Sequence, residues 1–370
     1  MAFITKGTVG RAGRLRRGQP TVVFAPQVAY WRVLDRGVLD PGYLFYLIRS
    51  REFQAALDGV KTHGAMAADY VSISLQHDFA FRFPDIVTQR WVASVLGALD
   101  DKIELNRRMN RTLESIVRAV FKSWFIDFDP VRKKMEGGQV GLPSDLAALF
   151  SDGLCETSLG EIPEGWAVSC LGDVATQARD SVKPEDVSPG TPYFGMEHLP
   201  KRSIALHEWG SAGDVSSSKS RFVVGDILFG KLRPYFHKVG LPPLDGICST
   251  DIVVVRSRSP ELSAFVLGHV SSAEFVDYAR ARSSGTRMPR TNWQDMAAYS
   301  LALPPRALCQ AYDDLAKPMI NLIHDRIMES RTLANLRDAL LPALLAGQKN
   351  GDELKPSHWG NTMGADAHVW

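Results

Sequence analysis

A chain of 370 residues with 45% hydrophobic and 23% charged residues and a net charge of +2 has room for two or three globular domains and is neither disordered nor fibrous in composition. No run of 18 apolar residues exists and the amino terminus lacks an apolar signal-peptide core, so membrane insertion and export are unsupported and the cytoplasm is the default location. So small a net charge excludes a polycation that coats nucleic acid indiscriminately; binding to DNA has to come from local basic faces.

Residues 1–85 read as short apolar stretches, Thr21-Val22-Val23-Phe24 and Val28-Ala29-Tyr30-Trp31, broken by Gly and Pro, with one helical piece after Pro41. This is a mixed α and β pattern. Helical periodicity takes over near Val87 and lasts to about Phe125, within a segment 86–127. Its repeating positions hold Val92, Leu96, Leu99, Ile103, Asn106, Asn110, Leu113, Val117, Val120 and Trp124, in steps of four and three that predict a coiled-coil seam. Asn106 and Asn110 interrupt it: either they are buried amides that fix register, or the helix is slightly rotated and both are solvated. Residues 128–157 form a polar connector with Lys133-Lys134 and a short apolar piece around Leu146 to Phe150. Strand signals resume at Trp166, with Val223-Val224, Ile227-Leu228-Phe229 and Ile252-Val253-Val254-Val255 as β-branched or apolar runs between turn residues. A second long helix is predicted over 306–346. It offers Leu315, Met319, Ile323, Ile327, Leu333, Leu336, Leu340 and Leu344 for burial, with Pro318 starting or kinking it and Pro342 disturbing its last turns. Residues 347–370 read as a frayed tail.

The two halves echo each other. Pro41, Phe83-Pro84, Arg111-Thr112-Leu113 and Val120-Phe121 return as Pro260, Leu303-Pro304, Arg331-Thr332-Leu333 and Leu340-Leu341, at an offset of 219 or 220. The second copy opens near Ser158 to Trp166, and the same offset falls before Met1, so the first copy is expected to lack its opening segment of about 60 residues. The expected architecture is α+β: two mixed α/β globular units, 1–85 (partial) and 158–305, separated by two long helices that pair as an antiparallel coiled coil.

Catalytic signatures are missing. There is no G-x-x-x-x-G-K-[ST] loop, no H-E-x-x-H and no G-x-S-x-G. Asp127-Phe128-Asp129-Pro130 has the wrong order for a methyltransferase motif, and Gly7, Gly10 and Gly13 fit a turn in a basic loop better than a nucleotide cradle. The scattered Cys155, Cys170, Cys248 and Cys309 argue against a zinc site or disulfides and read as reduced, buried thiols.

Readers of DNA sequence need cations for phosphates and forked or amide side chains for base edges. Lys231 and Arg233 stand on alternate positions after an apolar strand and share a face if the strand continues, with Tyr235 beyond them. Arg282, Ser284, Thr286, Arg287 and Arg290 bring arginines and hydroxyls into one loop around Gly285. Lys6, Arg11, Arg14, Lys61 and His63 are the corresponding candidates in the first unit. A solvated surface loop is the alternative reading of each charge run.

The series Gly225-Asp226-Ile227-Leu228-Phe229-Gly230-Lys231-Leu232-Arg233-Pro234, with Ser249-Thr250-Asp251-Ile252, Ser284-Gly285-Thr286 and Leu340-Leu341-Pro342, resembles the specificity subunit of Type I restriction-modification enzymes. So do Leu99-Asp100-Asp101-Lys102-Ile103, Phe121-Lys122-Ser123-Trp124-Phe125 and Leu159-Gly160-Glu161-Ile162-Pro163-Glu164-Gly165-Trp166. The resemblance implies two target recognition domains, each reading one half of a split site in double-stranded DNA. It implies helices that set the gap and dock methyltransferase (M) subunits, with restriction (R) subunits as optional further partners. Adenine methylation and ATP-dependent cleavage would then belong to those partners, with S-adenosylmethionine, ATP and Mg bound there and no cofactor, metal or membrane partner here. A helix of roughly 38 residues is about 57 Å long, the scale of a turn and a half of duplex. The alternatives are a degraded subunit that only scaffolds its partners, and an enzyme in its own right.

Overall fold

The computed structural model describes residues 2–6, 9–13, 23–60, 70–72, 76, 79, 81 and 83–345; the tail 347–370 lies outside the described residues. The chain divides into two compact units, Met1–Glu104 with Thr332–Trp370, and Leu105–Arg331.

In the first unit β1 (Ala2–Ile4) lies between β2 (Ala12–Gly13) and β3 (Val28–Tyr30), antiparallel to both. Two helices follow, α1 (Pro41–Ile48) and α2 (Arg51–Val60). The start of α1 is set locally. Asp40 accepts from the amides of Gly42 (2.7 Å) and Tyr43 (3.0 Å), and Pro41 occupies the first turn, where a missing N–H goes unmissed. Phe3 of β1, Trp31 and Phe53 of α2 meet edge to face and tie the strands to the helix. The long helix α3 (Ile86–Phe125) begins in this unit.

The second unit continues with α4 (Asp129–Met135), then β4 (Leu154–Thr157) and β5 (Gly160–Pro163) as a hairpin that starts earlier than the strand signal at Trp166. Next come β6 (Ala167–Cys170), β7 (Ala175–Gln177), β8 (Ser181–Val182), β9 (Pro192–Phe194), β10 (Gly210–Ser211), β11 (Lys219–Phe222), β12 (Ile227–Gly230), β13 (Val239–Gly240), β14 (Gly246–Cys248) and β15 (Ile252–Ser257). After β15 come α5 (Ser263–Val270), α6 (Ala273–Ala281), β16 (Ser300–Leu303) and α7 (Arg306–Leu345). One sheet has the order β10-β9-β14-β11-β8, another β13-β12-β15-β7, and β16 pairs with β6. In β15 Ile252, Val253, Val254 and Val255 are all buried, which is why that strand reads as a continuous apolar run rather than an alternation. Val223 and Val224, expected in a strand, instead lie exposed in a turn whose Val223 amide is taken by the Asp226 carboxylate (2.9 Å). Of the four cysteines, Cys248 and Cys309 are buried as expected, while Cys155 and Cys170 are only half-buried; all four are free thiols.

Both long helices have 40 residues, and each boundary of α7 lies 220 positions after that of α3 (86 to 306, 125 to 345). α7 runs through both prolines. Pro318 does not start it, and Pro318 and Pro342 are exposed, so water can satisfy the carbonyls that lose an amide partner there. In the second unit Asn106 Nδ2 donates to Ser330 Oγ (3.2 Å) and Glu329 Oε2 (2.9 Å), Asn110 Nδ2 makes a long contact with the carbonyl of Ile323 (3.4 Å), and the Tyr312 hydroxyl donates to the carbonyl of Val117 (3.0 Å). The partner number falls as α3 advances, so the helices are antiparallel. In the first unit Arg337 of α7 donates to Asp100 of α3 (2.6 Å), which also accepts from the Tyr46 hydroxyl (2.9 Å). Leu336, expected in the buried set, is exposed.

The core of the second unit gathers where α3 ends. Phe121, Trp124 and Phe125 meet Phe265 of α5 and Tyr312 of α7, and Phe125 and Phe128 meet Trp166. α5 borrows its cap from α7, since the amide of Ala264 donates to the buried carboxylate of Asp313 (3.2 Å). Gly268 lets α5 lie directly on the Phe121 ring, and a Cβ there would overlap it. Gly268→Ala is expected to destabilise the protein by about 1–3 kcal/mol, read as a lower urea midpoint; an unchanged midpoint would show that this crossing has slack.

His269, next along α5, is fully buried, and among the described residues neither ring nitrogen has a hydrogen-bond partner. Its ring packs on Phe121 (4.9 Å) and Phe265 (4.6 Å), and burial pushes its pKa down to about 3. An unfolded histidine titrates near 6.5, so as pH falls from there towards about 3 the unfolded chain takes up a proton that the folded one refuses. Stability is present above that window and drains at up to about 1.4 kcal/mol per pH unit within it. Burial lowers His207, His237 and His324 in the same direction. His269→Met should flatten the loss of urea midpoint between pH 7 and pH 5 by one proton's share, and a slope identical to the parent chain would count against it.

Candidate nucleic-acid interface

β12 ends at Gly230, and the chain does not continue as a strand. The Lys231 amide donates to the Asp251 carbonyl (2.9 Å), the Thr291 amide donates to the Lys231 carbonyl (3.1 Å), and Leu232 forms a bridge with Arg290. Arg233 then adopts the left-handed conformation (φ 50°) while its amide donates to the Pro289 carbonyl (2.7 Å). Lys231 and Arg233 therefore do not share a strand face as the alternation predicts, because the break at Arg233 re-aims its side chain. Pro234–Phe236 form a single 3-10 turn, and His237 closes it in a second left-handed conformation (φ 50°).

The arginine-rich loop docks on this turn. Ser284 and Arg290 exchange both backbone hydrogen bonds (3.0 and 2.9 Å), closing a tight loop around Gly285 at φ 99°. A Cβ there would approach the Met288 carbonyl and hold a conformation that L-residues rarely adopt. Arg282, Ser284, Thr286, Arg287, Arg290 and Tyr235 are exposed, whereas Lys231 and Arg233 are half-buried. Arg290 Nε reaches Asp251 Oδ1 (3.2 Å), and the Arg282 guanidinium lies over the Tyr278 ring (4.6 Å). The two segments singled out in the sequence are thus one surface, joined through residues 231–233 and 289–291.

Sequence reasoning missed three members of this surface. The Arg202 amide donates to the His237 carbonyl (2.9 Å), with Arg202 itself left-handed (φ 58°), and Lys201 places its ammonium 4.5 Å from the centroid of the Phe236 ring. Asp251 ties Lys231 and Arg290 together, a role that the Ser249-Thr250-Asp251 sequence does not disclose. Burial lowers the pKa of His237, with Arg118 and Arg202 adding to the effect and the contact with the Ser271 carbonyl, 2.9 Å from Nε2, opposing it.

In the first unit Lys6 is exposed and forms a bridge with Tyr70; Arg11 is exposed, and its carbonyl accepts from the Ile4 amide (2.9 Å) across a turn at Gly10. Arg14, Lys61 and His63 lie outside the described residues. Of the helix-pairing set, Ile103, Asn106, Asn110, Val117, Trp124, Ile323 and Ile327 are buried, and Leu99, Leu113, Val120, Leu333 and Leu340 are half-buried. Glu114, Phe121, Tyr312 and Ser330 are buried too and were not anticipated for that set.

Among the described residues no group of His, Cys, Asp and Glu could hold a metal ion, and no helix is long and apolar enough to cross a membrane. No family model matches the chain. It is 36% identical to the specificity subunit of the Type I restriction enzyme HindI from Haemophilus influenzae, covering 85% of this chain and 78% of that one. It is 22% identical to the MjaIX specificity subunit from Methanocaldococcus jannaschii, covering 96% and 80%. Its fold is similar to the crystal structure of a Type-I restriction-modification system S subunit from M. genitalium, with a TM-score of 0.51 at 13% identity over 93% of this chain and 82% of that chain. Two mixed α/β regions and an antiparallel pair of long helices, with identity at this level over most of a curated relative, place the chain in the family of Type I restriction enzyme specificity subunits.

Proposed function

We propose that the chain supplies the DNA sequence reading of a Type I restriction-modification complex and performs no chemistry itself. Its helix pair docks methyltransferase subunits, its two units read the halves of a bipartite site, and adenine methylation and ATP-driven cleavage belong to its partners. The observation that carries this reading is the joined surface of the second unit. There an arginine- and hydroxyl-bearing loop is pinned by a backbone ladder to a basic turn, leaving Arg282, Ser284, Thr286, Arg287 and Arg290 exposed. Hydroxyls and lysines suit phosphates, and arginine forks suit guanine edges. Lys231 is assigned to phosphate and Arg287, near the loop tip, to a base edge.

The test is to co-express the chain with its methyltransferase subunit, map methylated adenines to find the site, and measure binding to it across salt concentrations. Lys231→Ala should weaken all sequences alike and reduce the salt slope by about one, while Arg287→Ala should cost about 1–3 kcal/mol and relax preference at a single position. If Lys231→Ala and Arg233→Ala both leave affinity and salt slope unchanged, the contact assignment is wrong. An assembled complex with no sequence-selective binding would favour a scaffold that holds its partners without reading DNA.

A further inference from the structure

Glu114 is a carboxylate on the inside of the second unit, 6% exposed, one residue beyond the half-buried seam position Leu113. Its oxygens accept three hydrogen bonds: from the Ser203 hydroxyl (2.8 Å) and the Ala205 amide (3.1 Å) on one, and from the Ile204 amide (3.2 Å) on the other. All three donors are neutral, so among the described residues the group acts as an anchor for the 203–205 segment and not as half of an ion pair. The segment it holds leads directly to the basic turn. Arg202, next to Ser203, donates its amide to the His237 carbonyl (2.9 Å), the Leu241 amide donates to the Ile204 carbonyl (2.9 Å), and Ala205 forms a bridge with Leu241. The same segment also rests on α7: Ala205 packs with Ile323 and Ile327, and Trp209 carries the Arg331 guanidinium 3.9 Å from its ring centroid.

We propose that Glu114 is a positioning residue, fixing the direction in which the second unit presents its basic turn relative to the helix pair. This rests on the DNA-reading function proposed above. A methyltransferase docked on the helices meets its adenine only if the DNA held by the turn is correctly placed, and a displacement of about 1 Å is enough to lower a rate by 10²-fold without removing a contact. Loosening the anchor should therefore separate turnover from affinity.

The experiment uses the full chain in complex with its methyltransferase subunit and S-adenosylmethionine, with DNA carrying the mapped site. Glu114→Ala should keep the Kd for that DNA within threefold while lowering methylation turnover tenfold or more. Glu114→Gln, which retains an acceptor oxygen, should recover most of the turnover, and Lys231→Ala in the same assay should raise Kd instead. Wild-type turnover in a folded Glu114→Ala, or turnover and affinity falling together in a folded chain, overturns the positioning role. If Glu114→Ala does not fold, Ser203→Ala, which removes one of the three donors, makes the same comparison with a smaller expected loss. A parent complex that binds DNA without sequence preference overturns the reading function, and this proposal with it, whereas a failure confined to the Glu114 variants leaves that function standing.

Discussion

Asn106, Asn110 and Glu114 follow one another at steps of four along α3, and all three are buried. A coiled-coil seam alternates steps of four and three because a helix advances about 100° per residue and each pair of steps nearly closes two turns. Two successive steps of four carry the buried face about 80° around the helix. Leu113 keeps the seam on Ile323 and Ile327 of α7, while Glu114 beside it turns the buried face towards the segment Ser203–Ala205. One helix meets two partners in this way, and the orientation of everything attached to residues 201–241 follows from it.

A polar stripe at such a place costs stability relative to leucine. Asn106 Oδ1 and Asn110 Oδ1 find no donor among the described residues, and a buried polar atom left unpaired costs about 1–3 kcal/mol. What the amides contribute is discrimination. Asn106 has Ser330 and Glu329 opposite it, and a slip of one helical turn would replace those acceptors with whatever lies four residues along α7. An all-leucine seam would tolerate that slip far better. The aromatic cluster from Phe121 to Phe128 then locks the far end by volume, where a Cβ at Gly268 would overlap the Phe121 ring.

Much of this was legible in the sequence, because long elements announce themselves through many residues at once. The periodicity places α3, the 220-residue echo places α7, and the β-branched run Ile252–Val255 places a central strand. The misses are single-residue events. Leu113 and Glu114 are adjacent, and apolarity favours the leucine although the structure buries the glutamate more deeply, since three donors from a distant segment are invisible to a pattern of hydrophobicity. The two valines at 223 and 224 have strand propensity but precede Gly225 at φ 95°, and the turn prevails. Leu336 looks like a seam residue and is exposed, and its neighbour Arg337 is the one that meets Asp100 of α3.

The interface shows the same division between composition and geometry. Its arginines, hydroxyls and glycine stand out in the sequence, yet their arrangement depends on Arg202, Arg233 and His237, three non-glycine residues in left-handed conformations. Such positions cost on the order of 1–3 kcal/mol each and persist only where neighbours over-determine them. Here the neighbours are visible: Arg202 is tied to His237 through its amide, Arg233 to Pro289, and His237 to Ser271 through its ring. A strand running straight on from Gly230 would have lined Lys231 and Arg233 along one face, a geometry suited to tracking phosphates in a row. Two left-handed corners within five residues instead wrap the chain into a knob against which the Ser284–Arg290 loop can fold. Cations then approach from two chain segments at once, and that convergence concentrates positive charge on one surface of a chain with almost no net charge.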